Sequence, residues 1–202
     1  MSRLARRMLL LALPAGLAAC STLLQGKPPP KLYTLEPASG FPPGPRINAQ
    51  LLIDAPTASG AIDTERIALM KSAVTVDYFA DAAWTDRAPV LVQNLLVQSF
   101  ENSDRIGATS RDSSSLRPDF VLLSELREFA AVYATANPTI HVRLGLKLIR
   151  LDDRRLLGQR QVEASAEGAQ DAIVPVVTAF DAALRSAMTE IVTWSLPLLA
   201  RA

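Results

Sequence analysis

One cysteine and one histidine bound the chemistry open to this 202-residue chain. They are Cys20 and His141, far apart in sequence. A zinc site built on Cys and His needs several such ligands, and an intrachain disulfide needs a second thiol. Both are excluded. His141 could serve as a general base, yet it lies on the polar side of an alternating segment, two residues from Arg143, which reads as a solvent-facing place. Asp152-Asp153 and Asp63-Thr64-Glu65 supply paired acids. Glycoside chemistry needs two carboxylates roughly 5–9 Å apart across a cleft, and these pairs read as turn acids instead. Ser113-Ser114-Ser115 lacks the G-x-S-x-G setting of a nucleophile elbow, and the nine glycines form neither a Walker nor a Rossmann phosphate loop. These residues predict no catalytic site, no metal and no cofactor. Trp84 and Trp194 are candidate interface anchors, since Trp is frequent at binding hot spots; closing part of a core would suit them equally.

Cys20 has a more defined setting. Residues 1–20 read MSRLARRMLLLALPAGLAAC. Arg3, Arg6 and Arg7 form a basic leader, Met8 to Leu13 is unbroken apolar, and Pro14 and Gly16 loosen the stretch before Cys20. The apolar stretch is about a dozen residues, short of the roughly 20 that a membrane-spanning helix needs. Basic, then apolar, then small is the order of a secretory signal peptide. Leu17-Ala18-Ala19-Cys20 resembles a bacterial lipobox. That resemblance implies a signal peptide over 1–19, cleavage before Cys20, and a diacylglyceryl thioether with further acyl chains such as palmitate on Cys20. Several acyl chains bury enough methylenes, at about 0.8 kcal/mol each, for stable anchoring. Ser21 and Thr22 come next, with no Asp at the position that retains lipoproteins at the inner membrane. By the same resemblance this places the protein in the outer membrane of a Gram-negative bacterium, facing the periplasm. Losing residues 1–19 removes three arginines and no acid, leaving 183 residues with 18 basic and 20 acidic side chains, a formal −2. Such a balance argues against a nucleic-acid binder that works by bulk charge.

The remainder divides into a tether over 20–31, with Pro28-Pro29-Pro30 favouring extended polyproline geometry, and one domain over 32–202. Short strands are expected at 32–35, 49–55, 66–70, 73–79 and 105–109, with a second turn-rich stretch from Pro37 to Arg46. A helix begins after Asp86 as its N-cap and carries Leu91, Val92, Leu95, Leu96 and Phe100 on one stripe. Residues 119–131, 139–150 and 155–166 read as an antiparallel meander with one wet face. Its clearest member sets Ile140, Val142, Leu144, Leu146 and Leu148 against His141, Arg143, Gly145 and Lys147. A final helix starts near Ile173, carries Val177, Phe180, Leu184, Met188 and Ile191 on one stripe, and is expected to stop at Pro197. The fold class is α+β: a mainly antiparallel sheet with two helices packed on one face.

Several ordered landmarks carry a family resemblance. They are Tyr33-Thr34-Leu35, Ala55-Pro56, Ile62-Asp63-Thr64-Glu65-Arg66-Ile67, Ala83-Trp84-Thr85-Asp86 and Asp119. After these come Leu126 to Phe129, Arg155-Leu156-Leu157, Ala179-Phe180-Asp181-Ala182-Ala183 and Ile191-Val192-Thr193-Trp194. Together with the lipobox they resemble the ABC-type transport auxiliary lipoproteins, the group that contains the intermembrane transport lipoprotein PqiC. The resemblance implies a non-catalytic accessory subunit of a lipid-transport system, anchored to the membrane through Cys20. Its implied partners are an MCE-domain protein bridging the periplasm and, indirectly, an inner-membrane ABC transporter. A homo-oligomer stays open. So does an alternative function, a periplasmic lipoprotein that holds a lipid acyl chain between sheet and helices. A periplasmic hydrolase is the least supported reading.

Overall fold

The computed structural model describes residues 28–112 and 117–202. Cys20, the leader and the serines at 113–115 lie outside the described residues. The elements in chain order are β1 (Lys31–Tyr33), β2 (Ile47–Ile53), β3 (Thr57–Ala58), β4 (Arg66–Ser72), β5 (Thr75–Trp84), α1 (Ala88–Asn102), β6 (Ile106–Ser110), β7 (Phe120–Val132), β8 (Thr139–Arg150), β9 (Leu156–Glu167) and α2 (Ile173–Leu199). The α+β class holds: one nine-stranded sheet with both helices against it.

The long ladders are antiparallel. β7 pairs with β8 and β8 with β9, so one face collects every second residue of each strand. Ile140, Val142, Leu144, Leu146 and Leu148 on β8 are all buried, as alternation predicts, and β8 has the expected limits. Val162 and Ala164 on β9 share that face, while Gln159, Gln161 and Glu163 stand exposed on the other.

The other edge of β7 is built differently. β2, β3 and β4 lie along it one after another, each parallel to it, as in Leu51 opposite Phe120, Thr57 opposite Glu125 and Leu69 opposite Ala131. Pro56 separates β2 from β3, as expected of a residue with no N–H to donate to a ladder. β6 extends the sheet beyond β2, and β5 then β1 extend it beyond β4. These parallel pairs join residues distant in the chain, so no local periodicity announces them.

Three local departures have physical causes. β5 runs on to Trp84, five residues beyond its expected end at Phe79, because its pairing with β4 is interrupted by a bulge in which Asp81 takes φ 56°. Position 87, not Asp86, is the N-cap of α1; Asp86 Oδ1 instead accepts from the Arg87 backbone N–H at 2.8 Å. Pro197 lies inside α2, which continues to Leu199. In its last turn the missing N–H affects little of the remaining helix.

The core lies between the sheet and the helices. Trp84, Phe129 and Phe180 pack there as a triad, with centroid separations of 5.6, 5.1 and 4.9 Å. Leu96, Phe100, Leu184, Met188 and Ile191 fill the space around them.

The stretch from Leu35 to Ala38 straps the helices together. Leu35 and Ala38 are buried, the Glu36 N–H donates to Asp181 Oδ1 on α2 at 2.7 Å, and the Ala38 N–H donates to Ser99 Oγ on α1 at 2.9 Å. Asn102 Nδ2 returns a bond to the Ala38 carbonyl at 2.9 Å.

Candidate functional site

The helix-free face of the sheet is a lattice of alternating charge. Arg127 pairs with Glu125 at 2.8 Å and donates to Gln161 Oε1 at 2.7 Å, and Gln161 donates to Glu163 at 2.7 Å. Arg143 sits between Glu128 and Glu163, 3.1 Å from each. Gly145 has a purpose here. A Cβ on it would lie 3.1 Å from the Arg127 guanidinium, so its absence lets that side chain lie close over β8. Asp54, Thr57, Arg127, Lys147 and Gln161 line an open groove of 540 Å³ on this side. His141 faces the same way, half-buried, opposite Ala130 on β7 and Ser165 on β9. Exposed pairs of this kind contribute about 0–1 kcal/mol each to stability. Their chemical character is that of a polar, reversible contact surface.

Three of the landmark segments meet at one corner of the fold. The Trp84 N–H donates to the Glu65 carbonyl at 2.7 Å, the Thr85 N–H to the Tyr33 carbonyl at 2.9 Å, and the Ala88 N–H to the Thr64 carbonyl at 3.1 Å. Asp63 forms an ion pair with Arg87 beside the start of α1. Segments 33–35, 62–67 and 83–86 therefore hold one another and seat α1. Leu126 to Phe129 and Ala179 to Ala183 enter through the aromatic triad and through Asp181, which binds the strap and pairs with Arg185. Their visible work is structural.

The two tryptophans part company. Trp84 is 1% exposed at the centre of the triad and offers no surface for a partner. Trp194 is half-buried on α2, against Gly158 of β9. With Arg160, Thr189 and Glu190 it borders a shallow groove, and Arg160 pairs with Glu190 at 2.7 Å. The turn acids are engaged as well. Asp153 Oδ2 accepts from Arg150 at 2.8 Å, and that bond holds the Asp153 carboxyl well below the ordinary carboxylate range. At the opposite end, the Tyr133 hydroxyl donates to Asp171 at 2.6 Å, linking the end of β7 to the approach to α2. Burial first, and Asp171 second, push the Tyr133 pKa up, so the phenol remains a donor. Among the described residues no cluster of His, Cys, Asp and Glu could hold a metal, and no helix is long and apolar enough to cross a membrane.

Residues 33–192 match the family model for the ABC-type transport auxiliary lipoprotein component. The chain belongs to that family. The auxiliary lipoprotein reading made from the landmarks is thereby established, and the family's description is that of a transport component. Protein XCC0632 from Xanthomonas campestris, solved as a crystal structure, is similar at 26% identity and a TM-score of 0.78, over 83% of this chain and 95% of that one. The hypothetical protein CT253 from Chlamydia trachomatis is 12% identical, with a TM-score of 0.55 over 77% of this chain and 99% of that one, and shows the fold alone. The uncharacterized protein bll6063 of Bradyrhizobium diazoefficiens is 33% identical over 173 residues. They make up 84% of this chain and 46% of that protein, so the chain spans about half the length of the curated relative it matches.

Proposed function

We propose that this auxiliary lipoprotein is a non-catalytic accessory subunit of an MCE/ABC-type intermembrane lipid transport system. Cys20 carries its acyl anchor in the outer membrane, residues 20–31 tether the domain, and the domain docks in the periplasm on the MCE-domain protein. The inner-membrane ABC transporter is reached through that protein. The family match over residues 33–192 carries the reading. The polar sheet face supports it, since exposed ion pairs suit a reversible protein contact whose polar groups fix register and partner choice. Trp194, half-buried beside the Arg160–Glu190 pair, is the aromatic candidate for an anchor at such a contact.

Affinity capture of the full, acylated chain from gently solubilised envelopes tests the proposal. An MCE-domain protein should be recovered in stoichiometric amount. Its absence, under conditions that keep such assemblies intact, would rule out the docking role.

A further inference from the structure

The turn joining β4 to β5 projects beyond the rest of the sheet. Residues 71–77, KSAVTVD, are all exposed, and Val74 at the turn is 91% exposed. Val76 stands beside it and Lys71 flanks the pair. The hairpin leaves the sheet at the Tyr133 end of β7, where the Tyr133 N–H donates to the Met70 carbonyl at 2.9 Å. The turn therefore presents two exposed valines, Val74 and Val76. At the other end the β8–β9 turn presents Asp152, Asp153, Arg154 and Arg155 in succession.

The direction of β1 relates these ends to the tether. β1 is parallel to β5, with Lys31 opposite Ala82 and Tyr33 opposite Trp84. The chain before Lys31 therefore enters the ladder from the side on which the hairpin turn lies. Val74 is eight residues before Ala82, about 26 Å at a strand rise of ~3.3 Å per residue. The eleven residues from Cys20 to Lys31 reach up to roughly 40 Å when extended. A tether of that reach meets the plane of the hairpin turn without doubling back. To lay the charged turn against the same membrane it would have to reverse direction.

We infer that the β4–β5 hairpin turn rests in the lipid surface that holds Cys20, as a second, non-covalent membrane contact. The inference rests on the proposed anchoring of Cys20. Val74 and Val76 enter the headgroup–acyl boundary, and Lys71 reaches the anionic headgroups, in the manner of a long basic side chain above an apolar contact. The contact fixes which end of the domain points away from the membrane, so the charged β8–β9 turn faces the periplasm.

Acylated Cys20 leaves no free thiol in the mature chain, so Val74→Cys creates a single labelling site. The full acylated chain carrying a polarity-sensitive fluorophore at that site is reconstituted in phosphatidylethanolamine–phosphatidylglycerol vesicles containing a lipid-attached quencher. Leu156→Cys, at the charged end, serves as the comparison. Quenching at position 74 should exceed that at 156 by roughly threefold, with blue-shifted emission, for a group seated in the boundary. Adding Val76→Asp should bring it back toward the value at 156. Equal quenching at the two positions overturns the inference. So does protection of position 74 that appears only when envelope proteins are added, which would make the occupant a protein. Mass spectrometry of Cys20 separates the two levels of failure. An acylated Cys20 with no quenching at 74 leaves the anchor standing and removes the hairpin contact, whereas an unmodified Cys20 removes both.

Discussion

At the residue scale, burial separates side chains that the sequence presents as equals. Trp84 and Trp194 have the same chemistry, but only the first is enclosed by Phe129 and Phe180. Trp84→Ala should lower unfolding free energy by about 3–5 kcal/mol, as deletion of a buried aromatic does. Trp194→Ala should cost less than half of that, and denaturant unfolding of the two variants checks both values. Gly158 is a second case. A Cβ there would sit 2.8 Å from Leu198 Cδ1 and 3.1 Å from Trp194, so Gly158→Val should destabilise by about 1–3 kcal/mol through overpacking beneath α2. Asp153 predicts a pH dependence. Its folded-state pKa is depressed, first by the hydrogen bond from Arg150, below the ordinary value of 3.8. The folded state then binds fewer protons than the unfolded chain, so the stabilisation is present above 3.8 and fades as pH falls beneath it. Arg150→Met should flatten that acid limb in a series of thermal melts, lowering the melting temperature at neutral pH and converging on the parent as the pH falls well below 3.8. None of these distinctions is written in composition; each depends on which neighbour the fold supplies.

At the element scale, what could be read in advance was what repeats locally. β8 obeys a strict period of two because one face meets the helices and the other meets water, and its limits were legible for that reason. Both helices were legible from their apolar stripes. The parallel placement of β2, β3 and β4 along β7 was not, because pairing partners some seventy residues apart leave no mark on either segment alone. The strap was hidden for another reason. Its neighbourhood, from Pro37 to Arg46, is rich in proline and glycine and reads as turns, whereas the signal for docking is two isolated buried side chains, Leu35 and Ala38, and three hydrogen bonds to helices. Asp181→Ala removes the acceptor of the Glu36 N–H. It should speed hydrogen exchange at Glu36 and Ala38 while leaving the β7–β8 ladder protected, a local loss of about 1 kcal/mol. Exchange that rises equally in β8 would mean that the strap is part of the global folding unit.

At the scale of the whole molecule, several of the landmarks that made the family legible meet. Segments 33–35, 62–67 and 83–86 look unrelated along the chain but form one corner around Trp84, and they assign kinship more readily than they assign a partner. The docking surface was not legible, since charges on alternating strands look alike whether they face solvent or another protein. Under the proposed anchoring, Cys20 bears on location instead of shape. Cys20→Ala should move the protein from the membrane fraction to the soluble periplasmic fraction with an unchanged melting temperature, and fractionation with immunodetection reads this directly. The position of β1 adds a mechanical consequence. Under the proposed anchoring, any tension between membrane and transport partner enters the domain at a three-residue strand running parallel to β5. The load passes next to Glu36 and Ala38 and so into both helices before it reaches the meander of β7, β8 and β9. A pulled molecule would thus shed β1 and the strap first and keep its charged sheet face in register, lengthening its own leash before it gives up its fold.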